Sequence, residues 1–273
     1  MRRFSLILFL LAVLSGCRNR QACDAEMENI SDSSSVSVRT KVLSPQVQAL
    51  MDNYPCIINF ENNQLVFADS TTLVYDDMRT KTQEEALDDA DVEDMFRDPY
   101  QKIEIPTNDA GRIRSDALFR KLYGSTSAEV SKNLVSVSWC PKNVGQTIKF
   151  TRLYGAADSL SVVSRELDER PEFAKYLRSA STVNWRVIAG TERLSAHSFG
   201  IAIDICVEYS NYWRWSKSTD YVNRIPLEIV EIFERHGFIW GGRWKHYDTM
   251  HFEYRPEIIN AARQNEGKHQ TDL

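Results

Sequence analysis

The chain has 273 residues, 38 acidic and 33 basic side chains, a formal charge of −5 and 42% hydrophobic residues. That length and apolar content suffice for one sizeable core, and one domain with an N-terminal elaboration is the expected organisation. The acidic balance offers no basic footprint for nucleic acid and no general electrostatic grip on an anionic polymer, so a charged ligand has to be held locally.

In chain order, Arg2 and Arg3 precede an apolar run, Leu6 to Leu14, too short to span a bilayer, and then Leu14-Ser-Gly-Cys17. This is the layout of a secretory signal peptide over 1–16, and its end matches the bacterial lipobox, in which Cys17 becomes the lipid-modified first residue. The expectation is a domain outside the cytoplasm, at the periplasmic face of the cell envelope, held to a membrane by lipid on Cys17. Arg18 rather than Asp after it does not suggest inner-membrane retention. Residues 17–43 are polar and Ser-rich and read as a flexible tether. Cys23, Cys56, Cys140 and Cys206 form neither a disulfide framework nor a Cys-based metal motif. An oxidising compartment permits a Cys56–Cys140 bridge, and Cys206 reads as a buried thiol.

Ser44 and Pro45 open a short helix over 46–52, and two apolar runs flanking Glu61-Asn-Asn predict a hairpin. The acidic stretch 76–99 reads as a solvated helical or mobile surface rather than a cation or partner site. Helices are predicted over 114–123 and 127–134, strands over 135–139 and 147–151, and helices over 156–167 and 171–177. Strands over 184–189 and 200–207 follow, then a helix over 226–236 ended by Gly237, and a last strand over 250–254. The region 44–149 is set apart as an elaboration of uncertain fold, 150–262 as the core, and 263–273 as a loose tail.

The chemistry gathers in two segments, Ser195-Ala-His-Ser-Phe-Gly-Ile-Ala-Ile-Asp204 and His246-Tyr-Asp-Thr-Met-His-Phe-Glu253. Period-2 alternation sends Ile201, Ile203 and Ile205 to one face of a strand and Ala202 and Asp204 to the other. The second segment places Met250, Phe252 and Tyr254 opposite His251 and Glu253. Two adjacent strands would then bring His197, Asp204 and His251 to one cleft. Two imidazoles and a carboxylate are the protein ligands of a catalytic zinc site with an open position. Asp248, just before the second strand, stands where a general base would.

Ser-x-His-x-x-Gly-x-Ala-x-Asp followed by Asp-x-x-His-Phe-Glu resembles the D-alanyl-D-alanine carboxypeptidase and L-alanyl-D-glutamate endopeptidase family of zinc peptidases (VanY-like), over roughly residues 150–260. The resemblance implies an α+β fold, an antiparallel sheet with flanking helices like the hedgehog core, and Zn2+ bound by His197, Asp204 and His251. It also implies Asp248 as catalytic base, and peptidoglycan stem peptides as substrate. Asp rather than Glu at 248, with Trp240-Gly-Gly before it, is more like the endopeptidase branch. Arg193 and Arg186 are both candidates for stabilising the oxyanion. Ser195, His246, Tyr247 and Trp240 are candidates for substrate contact, whereas Trp213 and Trp215 read better as core. Glu253 is placed to orient His251. Two other readings stay open, a wall-binding zinc lipoprotein without turnover and a peptidase of a non-wall peptide containing D-amino acids.

Overall fold

Helix α1, Pro45–Asn53, begins where the Ser44 hydroxyl accepts from the Val47 N–H and Pro45 fills the first turn. The computed structural model describes residues 43–188, 190–216 and 220–271, so the leader, Cys17, Cys23 and almost all of the tether lie outside the described residues. Strands β1 (Ile57–Glu61), β2 (Gln64–Phe67) and β3 (Thr72–Val74) form a small antiparallel sheet. Its first turn places Asn62 and Asn63 at φ 50° and 60°, the left-handed values that asparagine tolerates better than most residues. Helix α2 (Gln83–Asp88) starts with a reciprocal capping box between Thr82 and Glu85. Helices α3 (Asp116–Tyr123) and α4 (Ser127–Ser131) flank Gly124. Strands β4 (Leu134–Trp139) and β5 (Gln146–Thr151) then make a hairpin against which α5 (Ala156–Asp168) packs.

After α6 (Ala174–Leu177) come β6 (Ala202–Asp204), α7 (Leu227–Arg235), β7 (Phe238–Trp240), β8 (His251–Tyr254) and α8 (Pro256–Thr271). The third sheet runs β6-β8-β7, antiparallel throughout, and its register pairs Asp204 with His251 and Ala202 with Glu253. Ile201, Ile203 and Ile205 are fully buried, as alternation requires of the face opposite Asp204. On the far side Phe233 of α7 stacks on Phe252, centroids 4.0 Å apart. The fold is α+β, with small antiparallel sheets and several helices.

Four expectations need correction. The boundary drawn between 149 and 150 falls inside β5, and the described residues on both sides of it belong to one unit and one apolar core. Residues 184–188 form no named strand; they are tied to the next segment by a Val187–Leu194 bridge and by main-chain hydrogen bonds to Arg193, Ser195 and His197. The acidic stretch is not simply a solvated surface, because the buried Lys81 ammonium gathers Asp77, Asp91 and Asp94 at 2.9, 3.1 and 2.6 Å. The tail is helical to Thr271. Cys56, Cys140 and Cys206 are free thiols, Cys56 meeting the Tyr154 hydroxyl at 3.3 Å rather than Cys140.

Candidate metal centre and its cleft

His197 sits in a short 3-10 turn, Ala196–Phe199, capped by the Ser195 hydroxyl at one end and by Gly200 in the left-handed conformation (φ 69°) at the other. A Cβ on Gly200 would lie 2.6 Å from Leu134, so this glycine serves both the turn and the close approach of the β4 hairpin. Asp204 ends β6 and His251 begins β8, directly opposite in the ladder. Their donor atoms converge. His197 Nε2 lies 3.1 Å from Asp204 Oδ1 and 3.2 Å from His251 Nδ1, and His251 Nδ1 lies 2.8 Å from Asp204 Oδ1. All three residues are placed to hold one metal ion.

The outward-facing ring nitrogens test that fit. His197 Nδ1 is hydrogen-bonded to the Thr182 carbonyl, and His251 Nε2 meets Glu253 Oε1 at 2.8 Å. A proton held on each of these nitrogens leaves the inward nitrogen with a free lone pair, the state a ligand needs. Tetrahedral zinc bonds of 2.0–2.1 Å put donors about 3.3 Å apart, so a cation needs shifts of only about half an ångström. The donor set, its spacing and the acceptors that meet the outer nitrogens fit zinc.

Electrostatics agree. Burial opposes ionisation of Asp204, but hydrogen bonds from both histidines outweigh it and hold the carboxyl well below the usual range. Burial also opposes a charged His251, yet Asp204 and Glu253 on its two nitrogens push it up to about 10.

Glu253 is fully buried, and burial alone would raise its carboxyl; Arg114, followed by His251 and Arg255, holds it low. Arg114 Nη1 meets its Oε1 at 2.5 Å and Arg255 Nη1 its Oε2 at 3.5 Å. Arg255 continues to Glu257, which accepts from the Tyr54 hydroxyl at 2.7 Å. A buried line of alternating charge thus joins α1 to a metal-facing histidine. Removing one member of such a line leaves its partner buried and uncompensated.

Asp248 faces the same cleft. Its Oδ1 is closed off from solvent and has no hydrogen-bond partner. Burial, with the neighbouring Asp204 charge assisting, pushes its carboxyl up to about 6 despite the opposing pull of His251. A carboxylate with raised proton affinity that lines the cleft beside the metal-facing residues is suited to accept a proton from a water held there. Gly241 secures its position: a Cβ there would meet the Asp248 carbonyl at 2.5 Å.

The cleft, about 190 Å³, brings in Arg186, Arg193, Ser195 and His246 as well. Arg186 is exposed, and its main chain is tied to Ser195 N and to the Ser198 hydroxyl. Arg193 is mostly buried, its Nε without a hydrogen bond and 3.6 Å from Asp88. His246 is held by the buried Asp109 carboxylate, 2.7 Å from its Nδ1, and packs edge-on against Trp213 at 4.7 Å.

The aromatic assignments are reversed. Trp240 is fully buried rather than in the cleft; its indole N–H donates to the Thr249 carbonyl, and its ring occupies the space where a Gly242 side chain would stand. The Trp-Gly-Gly sequence is therefore a packing device. Tyr247 is also buried, edge-on to Tyr221 at 5.3 Å and away from the cleft lining. Trp213 lines the cleft and Trp215 is exposed, whereas both were expected in the core.

Residues 189–254 match the family model described as D-alanyl-D-alanine carboxypeptidase. No curated protein and no solved structure matches the chain. The match spans about a quarter of the sequence and contains the three metal-facing residues and Asp248. It supports a peptidase, and the geometry above supplies the place where a metal ion fits.

Arg112, Arg114 and Trp244 also line the cleft and were missed, as was Asp109 behind His246. A signal for two of them existed: in Arg112-Ile-Arg114 the buried Ile113 separates two cleft-facing guanidiniums, a period of two.

Proposed function

We propose that this chain is a zinc-dependent peptidase that hydrolyses a peptide bond in peptidoglycan stem peptides. The bond is of the L-Ala-D-Glu endopeptidase or D-Ala-D-Ala carboxypeptidase type, with Asp248 favouring the former. The observation that carries this reading is the convergence of His197, Asp204 and His251, outer nitrogens anchored, beside an unpartnered Asp248 oxygen.

Zinc bound there would supply Lewis-acid polarisation of the scissile carbonyl and acidify the attacking water. Asp248 takes the proton that this water loses as its oxygen bonds to the carbonyl carbon. It then delivers that proton to the leaving nitrogen as the C–N bond breaks, so one water is consumed and an acid and an amine are released. The developing oxyanion is met by a cleft guanidinium, Arg186 or Arg193. Glu253 keeps the His251 ring in place, and Ser195 holds the turn that presents His197. The amino-terminal sequence supports a place for the domain outside the cytoplasm, tethered through lipid on Cys17.

The test is digestion of purified sacculi and of free D-Ala-D-Ala by the zinc-loaded protein, read by mass spectrometry. New amino termini at D-Glu, or loss of a terminal D-Ala, are expected. Intact stem peptides from protein carrying stoichiometric zinc would refute the proposal and favour a binding role; cleavage of the free dipeptide alone would favour a non-wall substrate.

A further inference from the structure

The cleft carries more cationic groups than peptide hydrolysis requires. Arg112, Arg114, Arg186, Arg193 and Arg214 all line it, although the chain as a whole is acidic. The carboxylates among the lining residues are Asp204, committed to the metal, and Asp248, the base. Arg114 is matched by Glu253 at 2.5 Å, and Arg186 can serve the oxyanion without Arg193. The rest have no role in that chemistry.

Arg112 and Arg193 share the lining of this one cleft. Arg193 is held below its usual proton affinity first by burial, with the Arg112 charge adding to it. Their acidic neighbours only partly offset this. Asp88, 3.6 Å from Arg193, is largely exposed at the end of α2, and the Asp109 oxygen 3.4 Å from Arg112 is shared with His246 at 2.7 Å. The Arg193 Nε is shut off from solvent with no hydrogen bond. Two guanidiniums lining one cavity, one of them with a donor that makes no hydrogen bond, favour an anion bound between them.

We propose that Arg112 and Arg193 form a subsite beside the metal centre for the free α-carboxylate of D-Glu, the group next to an L-Ala-D-Glu bond. The subsite rests on the peptidase reading for its purpose but can be tested by binding alone. Within stem peptides it selects the form with a free D-Glu α-carboxylate over the form in which that group is an amide. An amide presents a neutral oxygen and two N–H donors to guanidiniums that only donate.

The experiment uses zinc-loaded Asp248→Asn protein, which binds without turning over, and L-Ala-γ-D-Glu-L-Lys-D-Ala-D-Ala with that α-carboxyl either free or amidated. Calorimetry is expected to give about tenfold tighter binding of the acid, the scale of one charge-assisted contact. Adding Arg193→Gln or Arg112→Gln should abolish the preference, and Arg193→Lys should restore part of it, with zinc content unchanged. Arg112→Gln also loses its Asp109 contact, so Arg193→Gln decides the matter if the former does not fold. Equal affinity for the two peptides, no binding of the acid, or a preference that survives in Arg193→Gln would overturn the proposal. Tight, acid-selective binding by a wild-type protein that cleaves neither peptide would leave the subsite standing and refute the peptidase.

Discussion

Replacing Asp248 by Asn separates the cost of the base from its use. The carboxyl is displaced from 3.8 to about 6, so keeping it ionised in the metal-free fold costs about 3 kcal/mol. Asn has the same shape without the charge. Its amide nitrogen meets a site where Oδ1 already has no partner, which gives back about 1 kcal/mol. The variant should therefore be more stable than the parent by about 2 kcal/mol at pH 7.5, some 4–8 °C in Tm for a domain of this size. The sign with pH is fixed. A carboxyl whose folded pKa is raised disfavours folding only where it is ionised, so the gain is absent below pH 3.8 and grows to its full value above about 6. Denaturant melts of chelator-treated protein at pH 4 and 7.5 measure this directly. The same variant should retain stoichiometric zinc and lose activity by about a thousandfold, as removal of a general base does. A variant less stable than the parent at pH 7.5, or one retaining a large fraction of kcat, would refute the assignment of a strained base.

Zinc uptake at neutral pH should release a proton from His251, whose imidazole stays charged to about pH 10 in the metal-free fold; calorimetry in buffers of different ionisation enthalpy counts that proton, and zinc affinity should climb as pH rises towards 10. The activity profile should have an acid limb at or below about pH 6, because Asp248 must be ionised and a bound cation lowers its pKa further. Glu253→Gln should weaken zinc binding by about 10–100-fold in a chelator competition, and should cost about 3–5 kcal/mol in a urea melt because Arg114 and Arg255 lose their shared counter-charge. Gly241→Ala, whose new methyl meets the Asp248 carbonyl at 2.5 Å, should lower kcat while leaving zinc content intact and cost about 1–3 kcal/mol.

The metal-facing set was legible because alternation within two short strands is a local property. Ile201, Ile203 and Ile205 had to be inside, which left Asp204 pointing the other way, and the same reasoning turned His251 and Glu253 away from Phe252. The cleft's opposite wall was not legible, because Asp109 and Arg114 reach it across 130 residues or more from their partners His246 and Glu253, and Arg112 is brought along by its contact with Asp109. Nothing local distinguishes such arginines from surface charges. The tryptophans misled for a related reason. Composition says that Trp240 and Trp213 are each large and amphipathic, but only the sheet register, with Trp240 opposite Phe252, decides which is enclosed. The run 184–189 has strand composition, yet its main chain is engaged by the Ser198 hydroxyl and the segment after Gly190 rather than by a neighbouring strand.

The buried line from Tyr54 through Glu257, Arg255 and Glu253 to His251 has a practical meaning for anyone transplanting this site. Residues 189–254 contain every metal-facing group and read as a portable cassette. Excised, they would lose Arg114, Arg255 and Glu257, and Glu253 would keep neither of its guanidinium partners. A graft therefore has to carry its counter-ions with it, and those come from both sides of the matched segment, Arg114 before it and Arg255 after it.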